Sequence, residues 1–407
     1  SIAEVLQDDG YNTAVFGKWH LGAKVPLKDG VEPSGATHRE TILTNPDHDW
    51  TKPLVDGPED LGFRESYISN GGVMGNPYAF IRNGMLEPDL ENVTFWELGE
   101  YEMSEGTSVI RKAGEGSNDW DSTAVNMKIV NETKQFISNH QMNNAVNGDP
   151  FFAYVALGSI HVPFSPPRQF LDGSPIADEY PTPHMDLLGE MDKNVGEIVE
   201  HVKSLGLLED TIIIFTSDNG GLNGQLTNSA DYGHLSNGLL RGSKLSPYEG
   251  GHRVPMIIQW KGHLPEGETR SHLVGLQDLY ATICEAVGID VPPGQAQDSI
   301  SFAKYAKNET RVRGIRKLLG VWRHWGDGRG YNFEVLKYKN PARRKWRDVK
   351  LIYHYQTQQK ELYDLESDLF ETTDISSDYP HIVNKMFEGL KKISPCPNDN
   401  NSNNVFC

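Results

Sequence analysis

Cysteine is scarce: the 407 residues hold three, Cys284, Cys396 and Cys407. That number excludes a disulfide framework and a Cys-rich metal site. Cys284 falls in an apolar helical segment and reads as packing, while Cys396 and Cys407 leave open a pairing across the tail. No apolar run reaches the roughly 18 residues that mark a membrane-spanning helix. Basic charge is also short, with 38 Lys and Arg against 56 Asp and Glu and a net charge of −18. A body of that sign argues against nucleic acid or an anionic membrane as the main partner. An anionic substrate would need local cations or a metal. The chain opens on Ser1 inside a helical pattern (Ile2, Val5, Leu6), with no leader and no opening strand. It therefore reads as a fragment or a processed chain, and its compartment stays open.

What is present is a 37% apolar chain with 40 Gly and 23 Pro, a globular composition with many loops. Its length predicts two domains. Four Asn-x-Ser/Thr triplets occur, at Asn92, Asn131, Asn308 and Asn400, and they matter only if the protein is secreted.

The most informative stretch runs from Gly10 to Gly22. Thr13 to Val15 reads as a short buried strand that Gly17 breaks, followed by Lys18, Trp19 and His20. In extended chain, side chains two apart point the same way. Lys18 and His20 would then face one point, with Trp19 turned into packing. A point charge beside a proton-transfer group suits an anionic ester or its leaving oxygen. A surface lysine and a half-buried histidine at a strand end would look the same.

Residues 1–9 read as the last turns of a helix ending near Gly10. Residues 23–120 carry little periodicity and read as long loops over a scaffold. Asp47, His48 and Asp49 inside them read as a polar loop. Residues 122–139 make an amphipathic helix with Val125, Ile129, Thr133, Phe136 and Ile137 on one face. Phe151 to Leu157 is a buried strand ending in Gly158-Ser159-Ile160-His161-Val162-Pro163. Helix 184–205 follows, with Leu188, Met191, Val195, Ile198, Val202 and Leu205 along its buried face. Thr211 to Thr216 is a strand running into Ser217-Asp218-Asn219-Gly220-Gly221. A Gly- and Asn-rich loop leads to Arg241-Gly242-Ser243-Lys244, then a strand at Pro255 to Trp260 and a helix at Leu276 to Val287. Alternating helices and strands apolar on both faces predict a mostly parallel sheet covered by helices. Ligands of such sheets sit beyond the carboxyl ends of the strands, where Lys18, His20, His161, Asp218 and Asn219 all fall.

Past about residue 310 the pattern changes. Basic-aromatic stretches at 311–325 and 343–347 have the charge to attract a sulfated or phosphorylated polymer, but read first as solvated faces. Short strands at 349–355 and 360–364 and a helix at 381–393 predict a small antiparallel α+β domain. The expected organisation is a catalytic domain over 1–310, a small domain over 311–396 and an Asn-rich tail over 397–407.

Asp218 and Asn219 offer a carboxylate and an amide oxygen, which suit Ca²⁺ or Mg²⁺. Ca²⁺ takes roughly six to eight oxygens, so further ligands are required. Asp8 and Asp9 read as solvated. Asp-Asn-Gly-Gly is equally the composition of a turn. His161 is a candidate acid for a leaving oxygen, and Lys244 a candidate contact for an anion. No nucleophile is visible: Ser159 and Ser217 sit in no nucleophile elbow, and Arg168 reads as loop.

Gly10-Tyr11 to Gly17-Lys18-Trp19-His20-Leu21-Gly22 resembles the second signature of the type I sulfatases, in the alkaline phosphatase superfamily. The Ser159–Pro163 loop, Ser217-Asp218-Asn219-Gly220, Arg241-Gly242-Ser243-Lys244 with Glu249-Gly250-Gly251, Asp278-Leu279-Tyr280 and Glu361-Leu362-Tyr363-Asp364-Leu365 resemble that family in its order, closest to arylsulfatases. The resemblance implies an alkaline-phosphatase-like α/β fold with a small C-terminal domain. It implies that Lys18 and Lys244 bind sulfate oxygens, His20 contacts the nucleophile, His161 serves the leaving alkoxide, and Asp218 and Asn219 ligate Ca²⁺, with Mg²⁺ less favoured. It also implies a formylglycine nucleophile made from a Cys/Ser-x-Pro-x-Arg motif, which these residues do not contain. The expected function is sulfuric ester hydrolysis of a sulfated small molecule or glycan, with the nucleophile and the remaining metal ligands upstream and this stretch alone inactive. A phosphomonoester or phosphodiester hydrolase and a nucleophile-less binder of sulfated glycan are the alternatives. Family resemblance favours a secreted, lysosomal or periplasmic location.

Overall fold

The computed structural model describes residues 1–31, 47–73, 77–87, 93–96, 99–104, 107–111, 114–144, 148–307, 316–323, 333–339, 348–354 and 356–393. These fall into two compact units, Ser1–Thr211 and Ile212–Cys407. Cys396, Cys407, Asn92, Asn308, Asn400, the 397–407 tail and most of the two basic-aromatic stretches lie outside the described residues.

The first unit opens with α1 (Ile2–Asp8), held by a capping box between Ser1 and Glu4 that satisfies donors the first turn cannot. Gly10, at φ +91, turns the chain into β1 (Asn12–Lys18). Then come β2 (Glu65–Ser69), β3 (Phe80–Arg82) and β4 (Met85–Glu87). Two antiparallel ribbons follow: β5 (Val93–Trp96) with β8 (Gly114–Ser117), and β6 (Gly99–Ser104) with β7 (Thr107–Arg111). Helix α2 (Val125–Asn144), strand β9 (Phe151–Ala156) and helix α3 (Pro183–Ser204) complete the unit.

The main sheet has the order β4-β3-β2-β1-β9. Its core, β2-β1-β9, is parallel, and β3 and β4 extend it antiparallel. Alternation along β1 sends Ala14 and Phe16 to one face, against Val125, Ile129, Phe136 and Ile137 of α2. Val15 goes to the other, against Ala3, Trp19, Phe63 and Ile68. Burying Val15 and Phe16 is worth about 1.5–3 kcal/mol each, so β1 is anchored on both faces.

The second unit contains β10 (Ile213–Thr216), α4 (Gly224–Thr227), α5 (Glu249–His252), β11 (Met256–Gln259), α6 (Asp278–Val287) and α7 (Ala303–Ala306). A four-stranded antiparallel meander follows: β12 (Leu318–Arg323), β13 (Phe333–Lys339), β14 (Asp348–His354) and β15 (Lys360–Asp364). Helix α8 (Pro380–Ile393) covers it through Val383, Met386 and Leu390. The fold class is therefore the expected one, a mostly parallel sheet flanked by helices plus a small antiparallel sheet with a helix.

Four local expectations need correction. Gly17 does not end β1; the strand runs through it to Lys18. Residues 23–120 are not all loop, because seven short strands lie between Glu65 and Ser117; three to six residues each, they are too short to show a period. Among the described residues β10 pairs with β11 alone, antiparallel, and not in the sheet of β1 and β9, because an apolar run does not specify its partner. The fully buried stripe of α3 is polar, carrying His184, Asp186, Glu190 and Asn194, with Leu187 and Val202. Leu188, Met191, Val195 and Ile198 are only half-buried.

Candidate active site

In the first unit the site begins at the carboxyl end of β1. Gly17 has φ +101, and a Cβ there would lie 2.0 Å from the Ala156 carbonyl oxygen. Only glycine allows this backbone and this approach. The consequence is that β1 and β9 stay in register to their ends, with Gly17 opposite Ala156. Lys18 pairs with Ser69 of β2, and the next amide, Trp19 N, donates to Ser69 O at 2.9 Å. Trp19 is buried and its Nε1 donates to Gly22 O at 2.8 Å, the inward turn expected of it. The Lys18 stem lies against Gly72, where a Cβ would stand 3.4 Å from Lys18 Cδ. His20 is exposed.

His161 follows β9, the parallel neighbour of β1, so Lys18, His20 and His161 leave one edge of one sheet. The turn that carries His161 is tied to helix α2. Asn126 Oδ1 accepts from Gly158 N at 2.8 Å and Ser159 N at 3.2 Å. His161 N donates back to Gly158 O at 3.0 Å. His161 Nδ1 lies 2.8 Å from Val162 O. A carbonyl only accepts, so Nδ1 carries a proton in either charge state. Nε2 is then the nitrogen whose proton is exchangeable in catalysis.

In the second unit Asp218 and Asn219 follow β10. Gly220 N donates to Gly251 O at 3.0 Å, and a Cβ on Gly220 would lie 1.9 Å from Gly250 O. Lys244 N donates to Gly221 O at 2.8 Å. Asn237 joins the two loops, accepting from Gly221 N at 2.7 Å and donating to Gly242 O at 3.3 Å. The 217–221 and 241–251 loops are thus stitched together, which brings Asp218, Asn219 and Lys244 into one assembly. Asn219 Nδ2 donates to Asp218 Oδ1 at 2.8 Å. The two residues offer three side-chain oxygens, two from the carboxylate and one from the amide. That fits a hard cation in kind, but it does not complete a shell of about six to eight. Among the described residues no group of three or more His, Cys, Asp or Glu forms a metal cage. Asp47 is exposed and Asp49 caps Thr51 at 3.1 Å, the polar-loop reading.

Behind Lys244, the small sheet holds the loop. The Arg241 guanidinium stacks 3.7 Å above the Tyr248 ring and donates to Tyr363 Oη and Glu371 O, both at 2.9 Å. Glu249, fully buried, is met by Lys337 Nζ at 2.7 Å, Lys350 Nζ at 3.0 Å and Arg253 at 3.0 Å. Burial opposes its charge, yet His252 and the two lysines hold its carboxyl well below the usual range. A cleft of about 500 Å³ opens beside it, lined by Lys244, Tyr248, His354, Gln356, Gln359 and Glu361 among others. Burial works against Glu361 too, but hydrogen bonds from His354 and Tyr363 hold it at about 2. Burial pushes Tyr248 up to about 12, with Glu361 adding to the shift.

Sequence reasoning missed Asn126, Glu190 and the Arg241–Tyr248–Glu361 group. The available signal was polar residues at i and i+4 (Asp186, Glu190, Asn194) on a helix otherwise read as apolar-faced.

A sulfatase family model matches residues 1–289. The chain is 25% identical to an N-acetylgalactosamine-6-O-sulfatase of Bacteroides thetaiotaomicron, over 97% of this chain and 76% of that protein. It is 28% identical to the N-acetylgalactosamine-6-sulfatase of Mus musculus, over 74% of this chain and 47% of that protein. The chain thus spans about three-quarters of one relative and about half of the other. Among solved structures it superposes, with a TM-score of 0.71 at 23% identity, on a protein from a Bacteroides thetaiotaomicron locus for metabolism of multiple glycosaminoglycans, covering 96% of this chain and 81% of that one. A second match, i-CgsB in complex with a neocarrahexaose, has a TM-score of 0.64 at 22% identity, over 98% and 74%. At those identities the structures speak for the fold, and with a family model over more than half of its length the chain belongs to the sulfatase family.

Proposed function

We propose that the protein hydrolyses a sulfate monoester on a glycan, with Lys18, His20 and His161 forming one wall of the sulfate site. The observation that carries this reading is their exit from the carboxyl edge of adjacent parallel strands, with Gly17 holding those strands together. Lys18 and Lys244 supply positive charge to sulfate oxygens in a chain whose net charge is −18. His20 stands beside the attacking group. His161, with Nδ1 committed to Val162 O, gives its Nε2 proton to the leaving oxygen as the S–O bond breaks and its electron pair stays on that oxygen. Asp218 and Asn219 are two oxygen ligands of Ca²⁺, ahead of Mg²⁺, and the ion when bound adds charge stabilisation at the sulfate. A formylglycine supplies the attacking oxygen; its Cys/Ser-x-Pro-x-Arg motif belongs to the protein outside these 407 residues. The names of the relatives support a sulfated glycan as substrate.

The test is a panel of sulfated saccharides and matched phosphates on the whole protein. Sulfate turnover is expected, with kcat lowered about 10²- to 10⁴-fold in His161→Ala. Residues 1–407 alone are expected to be inert. Preference for phosphate, or aryl sulfate turnover by residues 1–407 alone, overturns the reading.

A further inference from the structure

Glu190 is a buried carboxylate with an unusual set of neighbours. It lies on α3 with no exposed surface. Its Oε2 accepts from Ser159 Oγ at 2.8 Å and from Asn126 Nδ2 at 3.0 Å. Asn126 Nδ2 also lies 2.7 Å from Ser159 Oγ, so three side chains close one ring of hydrogen bonds. The same Asn126 takes the amides of Gly158 and Ser159. Helices α2 and α3 therefore grip, at adjacent residues, the turn from which His161 projects two residues later.

Among the described residues no cation pairs with Glu190, and Asn194, one turn further along α3, is fully buried beside it. Burial pushes its carboxyl up to about 7, against the hydrogen bonds from Ser159, Asn126 and Asn194 that lower it. A carboxyl buried away from any cation is unfavourable. A residue required only to fill space at this position would be apolar. What Glu190 does instead is hold a hydroxyl and an amide at the base of a candidate acid.

We infer that Glu190 is a positioning residue for His161, fixing the Gly158–His161 turn through Ser159 and Asn126 so that Nε2 meets the leaving oxygen. This rests on the reading of the protein as a sulfate ester hydrolase with His161 as the leaving-group acid. Misplacement of a supporting group by a fraction of an ångström lowers turnover without removing binding contacts.

The experiment uses the whole protein and a sulfated saccharide it turns over. Glu190→Ala is expected to lower kcat about 10- to 100-fold with KM within about threefold, the signature of a lost transition-state interaction. Glu190→Gln, which keeps an acceptor for Ser159, is expected to recover most of that loss. Glu190→Ala combined with His161→Ala is expected to be no slower than His161→Ala alone, because both act through one group. Ser159→Ala removes the link without emptying the core, and is expected to reproduce the kcat effect should Glu190→Ala not fold. The inference is overturned by multiplicative losses in the double variant, by a KM effect without a kcat effect, or by wild-type kcat in both Glu190→Ala and Ser159→Ala. Wild-type kcat in His161→Ala, or no sulfate turnover by the wild type, overturns the underlying reading and this inference with it.

Discussion

Gly10 precedes β1 and Gly17 lies within it, at φ +91 and +101, yet they do different work. A Cβ on Gly10 meets nothing within 4 Å, whereas one on Gly17 meets Ala156 O at 2.0 Å. Gly10→Ala thus incurs only backbone strain, about 1–2 kcal/mol. Gly17→Ala adds an overlap with main chain that cannot rotate away, and its expected total is at least about 3 kcal/mol. Denaturant midpoints of the two variants measure the difference; equal losses would mean that β9 yields. Asp218 is exposed and carries no core packing, so its replacement tests a ligand role cleanly. Ca²⁺ near 100 times its Kd is expected to stabilise the whole protein by about 2.7 kcal/mol. Asp218→Ala is expected to abolish that gain in melting experiments while leaving the metal-free midpoint unchanged. An unchanged Ca²⁺ response would remove Asp218 from the ligand set.

At the scale of elements, the buried charges of the second unit hold α5 and the loop before it to β13 and β14. Glu249 sits among Lys337, Lys350 and Arg253, and Lys350 continues to Glu371 at 2.7 Å. Removing one member strands the others: Glu249→Ala is expected to lose about 3–5 kcal/mol. Glu249→Leu together with Lys337→Met, Lys350→Met and Glu371→Gln is expected to regain much of it, since apolar groups of similar volume need no partner and the amide at 371 keeps an acceptor for Glu249 N without a buried charge. Protease susceptibility of residues 212–407 reads both. Little of this was legible beforehand. Helices α2, α6 and α8 and strands β9, β14 and β15 follow from their periods and stop signals to within a few residues. The polar face of α3 does not, because Glu190 is buried by partners 31 and 64 residues away, which no local period encodes.

Among the described residues, two buried groups with opposed shifts, Glu190 and His252, stand one in each unit. Burial raises Glu190 from 4.5 to about 7, so the native state holds a proton that the unfolded chain has released. Its contribution is full below about pH 4.5 and declines as pH rises to 7, by about 3 kcal/mol. Burial lowers His252 from 6.5 to about 4, with Glu249 opposing the shift and Lys337 and Lys350 adding to it. There the unfolded chain takes up the proton first. That contribution is full above pH 6.5 and is lost by about 3 kcal/mol as pH falls to 4. Between pH 5 and 7, hydrogen-exchange protection of α3 is expected to fall and that of β14 to rise, after correction for intrinsic rates. Glu190→Gln is expected to remove the first slope and His252→Gln the second. Parallel slopes in the two units would refute the assignment.

By itself the sequence determined the longer elements and their order, and it singled out the candidate residues for the chemistry. Helical period, glycine stops and the Gly17-Lys18-Trp19-His20 spacing are local, and local sterics and burial suffice to express them. Only the tertiary structure decided which strands pair, that β10 runs antiparallel to β11, and that Asn126 and Glu190 grip the turn of His161. It alone placed Lys350, 101 residues from Glu249, against that carboxylate. Such contacts are selected by the free energy of burying polar groups with partners far along the chain, and residue spacing carries no record of them.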